Sequence, residues 1–280
     1  MLQTIFGLSN RGQIDQRRTQ GCARVRRASH GEMNRLLFAF VALALSLAAP
    51  GWCHGAVTNV RLYRLGENDI PAFIPGGAGD DPTMDQIMGI NAMKIGLTSY
   101  TGNAGGGGGV GLAPGSIVAM DFLNIDSRYV ALAALGGVTE NFGMEVYIQV
   151  NPGVVDARAF YNGGDGFPFW VPPVQGYGLG VSGGQYAAFV GGATFLTGVP
   201  AVPLTPVEMA LVNTGGPNFE VYIQKALVLS FAMPVVPPGA TDVLSMGNFL
   251  DNGGAHGGTL DEARVFTFLP GGFDAKTDLN

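Results

Sequence analysis

Along residues 142–150, Phe-Gly-Met-Glu-Val-Tyr-Ile-Gln-Val, apolar side chains recur at every second position. Phe142, Met144, Val146, Ile148 and Val150 fall on one face, and Glu145, Tyr147 and Gln149 on the other. A period of two marks a strand with one face buried. Phe219–Gln224 repeats the pattern. Residues 259–266 continue it out of strict phase, and an extra residue near Asp261-Glu262 would restore it as a β-bulge. Further strands are predicted at 58–65, 116–122, 128–134, 157–161, 176–181, 185–190, 207–213, 225–231 and 242–247, each bounded by Gly, Pro or Asn. Gly183-Gly184 is the expected tight turn of a hairpin. One short helix is predicted at Thr83–Met93, where Met84, Ile87, Met88 and Ile90 would share a face.

This spacing of short strands predicts an all-β, two-sheet antiparallel jelly-roll sandwich. Composition agrees. The chain has 280 residues, 47% of them hydrophobic and 13% charged, with 45 glycines and 17 prolines. The glycines have no three-residue period, so they read as turn residues rather than collagen. Gly105–Gly109 lacks the Gly-Lys-Ser/Thr and helix of a phosphate-binding loop and is expected to be a plain loop.

Charge divides the chain. Residues 1–32 carry six arginines, read as a basic extension upstream of the true start. From Met33 a short basic region, the apolar run Leu36–Ala49 and the helix-breaking Pro50-Gly51 give a signal peptide over 33–55, with cleavage expected after Gly55. The apolar run is too short to span a bilayer, so no membrane span is expected after cleavage. The remaining domain, 56–280, holds 8 Lys/Arg against 19 Asp/Glu. Such a balance repels phosphate backbones and argues against nucleic acid. Cys22 and Cys53 both lie before the cleavage point, so no disulfide or thiolate is expected in the domain. The protein is expected to be secreted, or to reside in the periplasm or at the cell surface.

The order of several motifs then resembles a known family. "EVYIQVNPG" (145–153), "RAFYNGG" (158–164), "GYGLGVSGGQYAAFVGG" (176–192), "VEMALVNTGGPNFEVYIQKAL" (207–227) and "GGTLDEARVF" (257–266) follow one another as in laminin G-like domains of the concanavalin A-like lectin and glucanase class. Most of 57–268 is covered. Two departures stand out: Pro206-Val207-Glu208 replaces a Trp-x-His stretch, and Gln224-Lys225 replaces a common Asn-Gly turn. The resemblance implies a jelly roll and a role in extracellular recognition.

The candidate chemistry is sparse. Glycosidases need two carboxylates flanking the scissile bond, and the Glu-x-Asp-x-x-Glu spacing that supplies them on this fold is absent. Glu140 with Glu145, and Asp261 with Glu262, are the nearest acidic pairs, but neighbours on a strand point to opposite faces. No enzyme activity is expected. His256 reads as a solvated loop residue. The aromatic loop Phe167, Phe169 and Trp170, with Tyr161 and Tyr177, is the candidate ligand site, because rigid ring faces stack on sugars. Asp261, with Asp80 and Asp81, is the candidate set for a structural calcium, which takes several hard oxygen ligands; the simpler reading, which is preferred, is that Asp261 and Arg264 pair or hydrogen-bond to neighbouring backbone. The expected partner is an extracellular glycan or surface protein. A polysaccharide-cleaving enzyme and a purely structural surface component remain the alternatives.

Overall fold

The computed structural model describes residues 57–65, 82–101, 111–122, 127–163, 175–239, 241–247, 249–251 and 257–280, all within one compact unit, Trp52–Asn280. Sixteen strands follow in chain order among these residues: β1 (Thr58–Tyr63), β2 (Met93–Ile95), β3 (Thr98–Tyr100), β4 (Met120–Phe122), β5 (Arg128–Leu132), β6 (Phe142–Val150), β7 (Val154–Asn162), β8 (Tyr177–Ser182), β9 (Gln185–Val190), β10 (Ala193–Pro200), β11 (Val207–Gly215), β12 (Asn218–Ile223), β13 (Ala226–Ala232), β14 (Val243–Gly247), β15 (Phe249–Asp251) and β16 (Gly258–Thr267). A single short helix, α1 (Ala275–Asp278), follows them.

They form two eight-stranded antiparallel sheets. The front sheet runs β13-β12-β11-β6-β16-β4-β3, with β1 also paired to β16. The back sheet runs β10-β9-β8-β7-β14-β5-β2, with β15 also on β7. The chain meanders through β7–β10 in the back sheet, crosses to β11–β13 in front, returns as β14 and β15, and closes with β16 in the middle of the front sheet. The expected all-β sandwich is therefore what forms.

Alternation sets the layers. Phe142, Met144, Val146, Ile148 and Val150 all enter the core, with Leu211 and Val265 on the flanking strands. From the back sheet come Phe160, Leu179, Ala188 and Leu244. Aromatic rings fill one end, with Phe142 tilted on Tyr177 at 4.4 Å and Phe195, Phe231 and Phe219 stacked in series. Burying such side chains is the main stabilising term, at about 25 cal/mol per Å² of apolar surface.

Two local expectations hold at the level of single residues. Gly183 and Gly184 turn β8 into β9 with φ of 56° and 74°, the left-handed pair that a two-residue hairpin needs. Glu262 has φ 47°, and the β6–β16 register slips between Asp261 and Arg264, so the bulge lies where the phase error placed it.

The helix expected at Thr83–Met93 does not form. Thr83 and Ala92 instead exchange two backbone hydrogen bonds as an antiparallel bridge. The Asp85 carboxylate accepts the amides of Ile87, Met88 and Ile90, and also that of Leu62 on β1. A short acidic side chain thus takes up donors that a helix would need for its own carbonyls, and the apolar periodicity is overridden. Among the described residues no helix is long and apolar enough to cross a membrane.

Candidate functional site

Strand pairing carries polar side chains onto the outer face of the front sheet. On β6 the positions facing away from the core are Glu145 and Tyr147. On β11 the residue opposite Tyr147 is Glu208, and on β16 it is Asp261. Arg264 lies opposite Glu145 on β16. Four strand positions therefore place three carboxylates and a guanidinium around one tyrosine.

Each group is held differently. The Glu145 Oε2 accepts from Arg264 Nε and Nη2 at 2.8 and 2.5 Å, while its Oε1 accepts the Asn280 amide at 3.0 Å. Burial raises the Glu145 carboxyl, and the Arg264 guanidinium opposes the rise. Asp261 Oδ2 accepts the amides of Leu112 and Ala113 at 2.9 and 3.1 Å, which anchors the loop before β4. Tyr147 donates its hydroxyl proton to the Asn280 carbonyl at 3.0 Å. Burial pushes its phenol upward, and the charges of Glu208 and Glu145 add to the shift.

Glu208 is the exception. The residue is 2% exposed and its Oε1 accepts no hydrogen bond. Burial first, and the charge of Glu145 second, push its carboxyl up to about 7 against the opposing charges of Lys225 and Arg264.

The chain's last residues lie over this face. Phe273 packs among Tyr222, Phe266 and Phe268. Leu279 is buried with Ala210, Val212 and Phe266. Arg264 donates to the Asp278 carbonyl, and Lys225 Nζ to that of Leu279 at 2.8 Å. Gly143 makes the packing possible, since a Cβ there would lie 2.4 Å from the Phe266 ring.

Beside this segment opens a groove of about 470 Å³, lined by Leu112, Pro114, Tyr147, Pro206, Glu208, Gln224, Lys225 and Asn280. A second hollow of about 250 Å³ shares Pro114 and Asn280 with it and is lined also by Arg64, Ala113 and Glu262. Arg64 and Glu262 are ion-paired at 2.7 Å.

The sequence-derived candidates fall elsewhere. Tyr161 is 1% exposed, with its hydroxyl donating to the Gln175 carbonyl, and Tyr177 is fully buried, accepting from Asn162 Nδ2. Neither ring offers a face to a ligand, which corrects the expectation that both join a stacking platform. Phe167, Phe169 and Trp170 lie outside the described residues, as do Asp80, Asp81, His256 and Gly105–Gly109. Asp261 is in the site but buried on backbone amides. Among the described residues no group of three or more His, Cys, Asp or Glu side chains is disposed to hold a metal. Glu140, paired with Glu145 in the sequence reading, instead accepts the Gly216 amide at 3.3 Å.

Tyr147, Glu208 and Lys225 were not among the sequence candidates. The available signal was Glu208 within the apolar run Val207–Val212, together with the departures at 206–208 and 224–225.

No protein family matches the chain, and no curated protein matches it. Solved structures do. Domain 4 of AbnA, a GH43 extracellular arabinanase from Geobacillus stearothermophilus, in complex with arabinotriose, is similar at 17% identity with a TM-score of 0.49, over 78% of this chain and 97% of that one. The botulinum neurotoxin serotype D ligand binding domain in complex with N-acetylneuraminic acid is similar at 10% identity and a TM-score of 0.45, over 75% of this chain. A serotype D binding domain gives 10% and 0.48 over 77%. The chain spans 47% and 49% of these two toxin chains.

Proposed function

We propose that the protein is a non-catalytic recognition module, laminin G-like in its motif order and exported through residues 33–55, that holds a neutral, hydroxyl-rich ligand such as a glycan end in the groove over Glu208. One observation carries the reading: a buried carboxylate oxygen without a hydrogen bond on the wall of an open groove. Leaving such an acceptor unmet costs about 1–3 kcal/mol, which a ligand hydroxyl would recover on binding. The groove volume falls within the roughly 300–1,000 Å³ range of small-molecule sites. Leu112, Pro114 and Pro206 supply apolar contact for sugar CH groups, and Lys225 supplies donors for their oxygens.

Replacing Glu208 by Leu tests this. The variant should unfold at higher denaturant than the parent, because an unsatisfied acceptor is gone, and should lose binding on an array of neutral oligosaccharides. Binding equal to the parent's would sink the reading.

A second reading has its own observation. A carboxyl with a pKa of about 7 is poised to act as a general acid near neutrality, and Glu145 is a diagonal neighbour across the β6–β11 pair. This would make the groove polysaccharide-cleaving. Against it, Glu145 is engaged by Arg264 and the Asn280 amide. Release of reducing ends from a polysaccharide panel, abolished in Glu208→Gln, would favour cleavage; none from the parent would end it.

A further inference from the structure

Four two-residue hairpin loops join neighbouring strands among the described residues. The common two-residue turns need positive φ at the first loop residue or at both, which glycine adopts freely and other L-residues adopt at a cost. Between β8 and β9 the loop is Gly183-Gly184, between β9 and β10 it is Gly191-Gly192, with φ of 56° and 81°, and between β11 and β12 it is Gly216-Pro217, with Gly216 at φ 54°. Between β12 and β13 the loop is Gln224-Lys225, with φ of 51° and 62°. Two long side chains thus sit in the left-handed conformation that the other three hairpins give only to glycine.

The exception is also the loop at the groove. Gln224 and Lys225 both line it. The Gln224 amide donates to the Glu208 carbonyl at 3.0 Å, which fixes the turn beside the buried carboxylate. The Lys225 ammonium has three donors and places one on the Leu279 carbonyl at 2.8 Å, so two remain. Gln224 is exposed, and its amide offers a donor and an acceptor together.

We propose that Gln224 and Lys225 are the specificity-determining residues of the groove, retained in a strained turn because they hold the hydroxyls and oxygens of a neutral sugar whose other contact is Glu208. The proposal rests on the groove reading above. Sterically costly backbone persists where the surrounding structure enforces it, and it clusters at ligand sites. A turn with no task beyond reversing the chain would gain from Asn-Gly.

The experiment compares the parent, Gln224→Asn/Lys225→Gly and Gln224→Ala on an array of neutral oligosaccharides, with a thermal melt of each. The double variant is expected to melt about 2–4 °C higher, as relief of roughly 1 kcal/mol does in a domain of this size, while binding at least tenfold more weakly to the sugars that the parent retains. Gln224→Ala keeps a side chain in the strained position, so it should melt like the parent and still bind several-fold more weakly. If the parent retains sugars and both variants retain them equally, the turn is not a specificity element and the proposal is overturned, with the groove reading intact. If the double variant melts lower while binding is unchanged, Lys225 serves only to tether Leu279, and the proposal is likewise overturned. If the parent retains none, the groove reading fails and takes this inference with it.

Discussion

Arg264 lays two nitrogens on one oxygen of Glu145, at 2.8 and 2.5 Å, with the two side chains only 6% and 0% exposed. Removing one partner leaves the other charge buried and uncompensated. Arg264→Met should therefore cost about 3–5 kcal/mol in urea unfolding. Adding Glu145→Met should recover most of that loss. A single variant within about 1 kcal/mol of the parent would contradict the pairing.

Glu208 sets a pH dependence of the opposite sign to the usual carboxylate. Its folded pKa of about 7 lies above the ordinary value of 4.5, so the folded state holds more protons than the unfolded state between those limits. Its contribution to stability is then greatest below pH 4.5 and declines as pH rises through 7, by at most about 3 kcal/mol. In Glu208→Gln the loss of stability between pH 5 and pH 8 should shrink by that contribution. Unfolding free energies at pH 5 and pH 8 for both proteins decide the matter.

Gly180 packs where β7 bulges. The β7–β8 register slips between Ala157 and Phe160, and a Cβ on Gly180 would lie 1.9 Å from the Ala157 carbonyl oxygen. Backbone cannot step aside as a side-chain tip can, so Gly180→Ala should cost about 3 kcal/mol or more. Gly183 has open space around its Cβ position and positive φ only, so Gly183→Ala should cost about 1–2 kcal/mol. Equal effects in chemical denaturation would contradict the distinction.

Asp85 ties the segment between β1 and β2 to the sheet. Its carboxylate accepts four amides and lies 3.7 Å from buried Arg61. Asp85→Ala should destabilise by at least about 2 kcal/mol. Hydrogen exchange of the Ile87, Met88 and Ile90 amides should accelerate before global unfolding; unchanged protection there would count against the role.

Legibility in the sequence followed the range of the forces involved. Phe142–Val150 and Gln185–Val190 form strands over the spans their alternation marked, because one sheet face is buried along their length. β2 and β3 have three residues each, too few for a period to register. β10, Ala193–Pro200, is an edge strand whose residues alternate between part-buried and exposed, and Gly198 and Pro200 blur its pattern. Thr83–Met93 had the apolar spacing of a helix, but the Asp85 carboxylate decided otherwise. The site was harder to read. Tyr147, Glu208 and Asp261 converge only through pairing between strands some 60 to 110 residues apart. Tyr161 and Tyr177 looked available because aromatic chemistry says nothing about which face of a strand meets the core.

The bulge at Glu262 acts as a reading-frame device. Before it, β16 pairs with β4 through Gly258–Leu260; after it, the same edge pairs with β1 through Ala263–Thr267. The extra residue keeps Asp261 and Arg264 on one side of the sheet, although three positions apart they would otherwise point to opposite sides. Deleting Glu262 would behave as a frameshift in space, driving Arg264 and Phe266 into the hydrophobic interior and turning Ala263 and Val265 outward, with no change in composition beyond one acid.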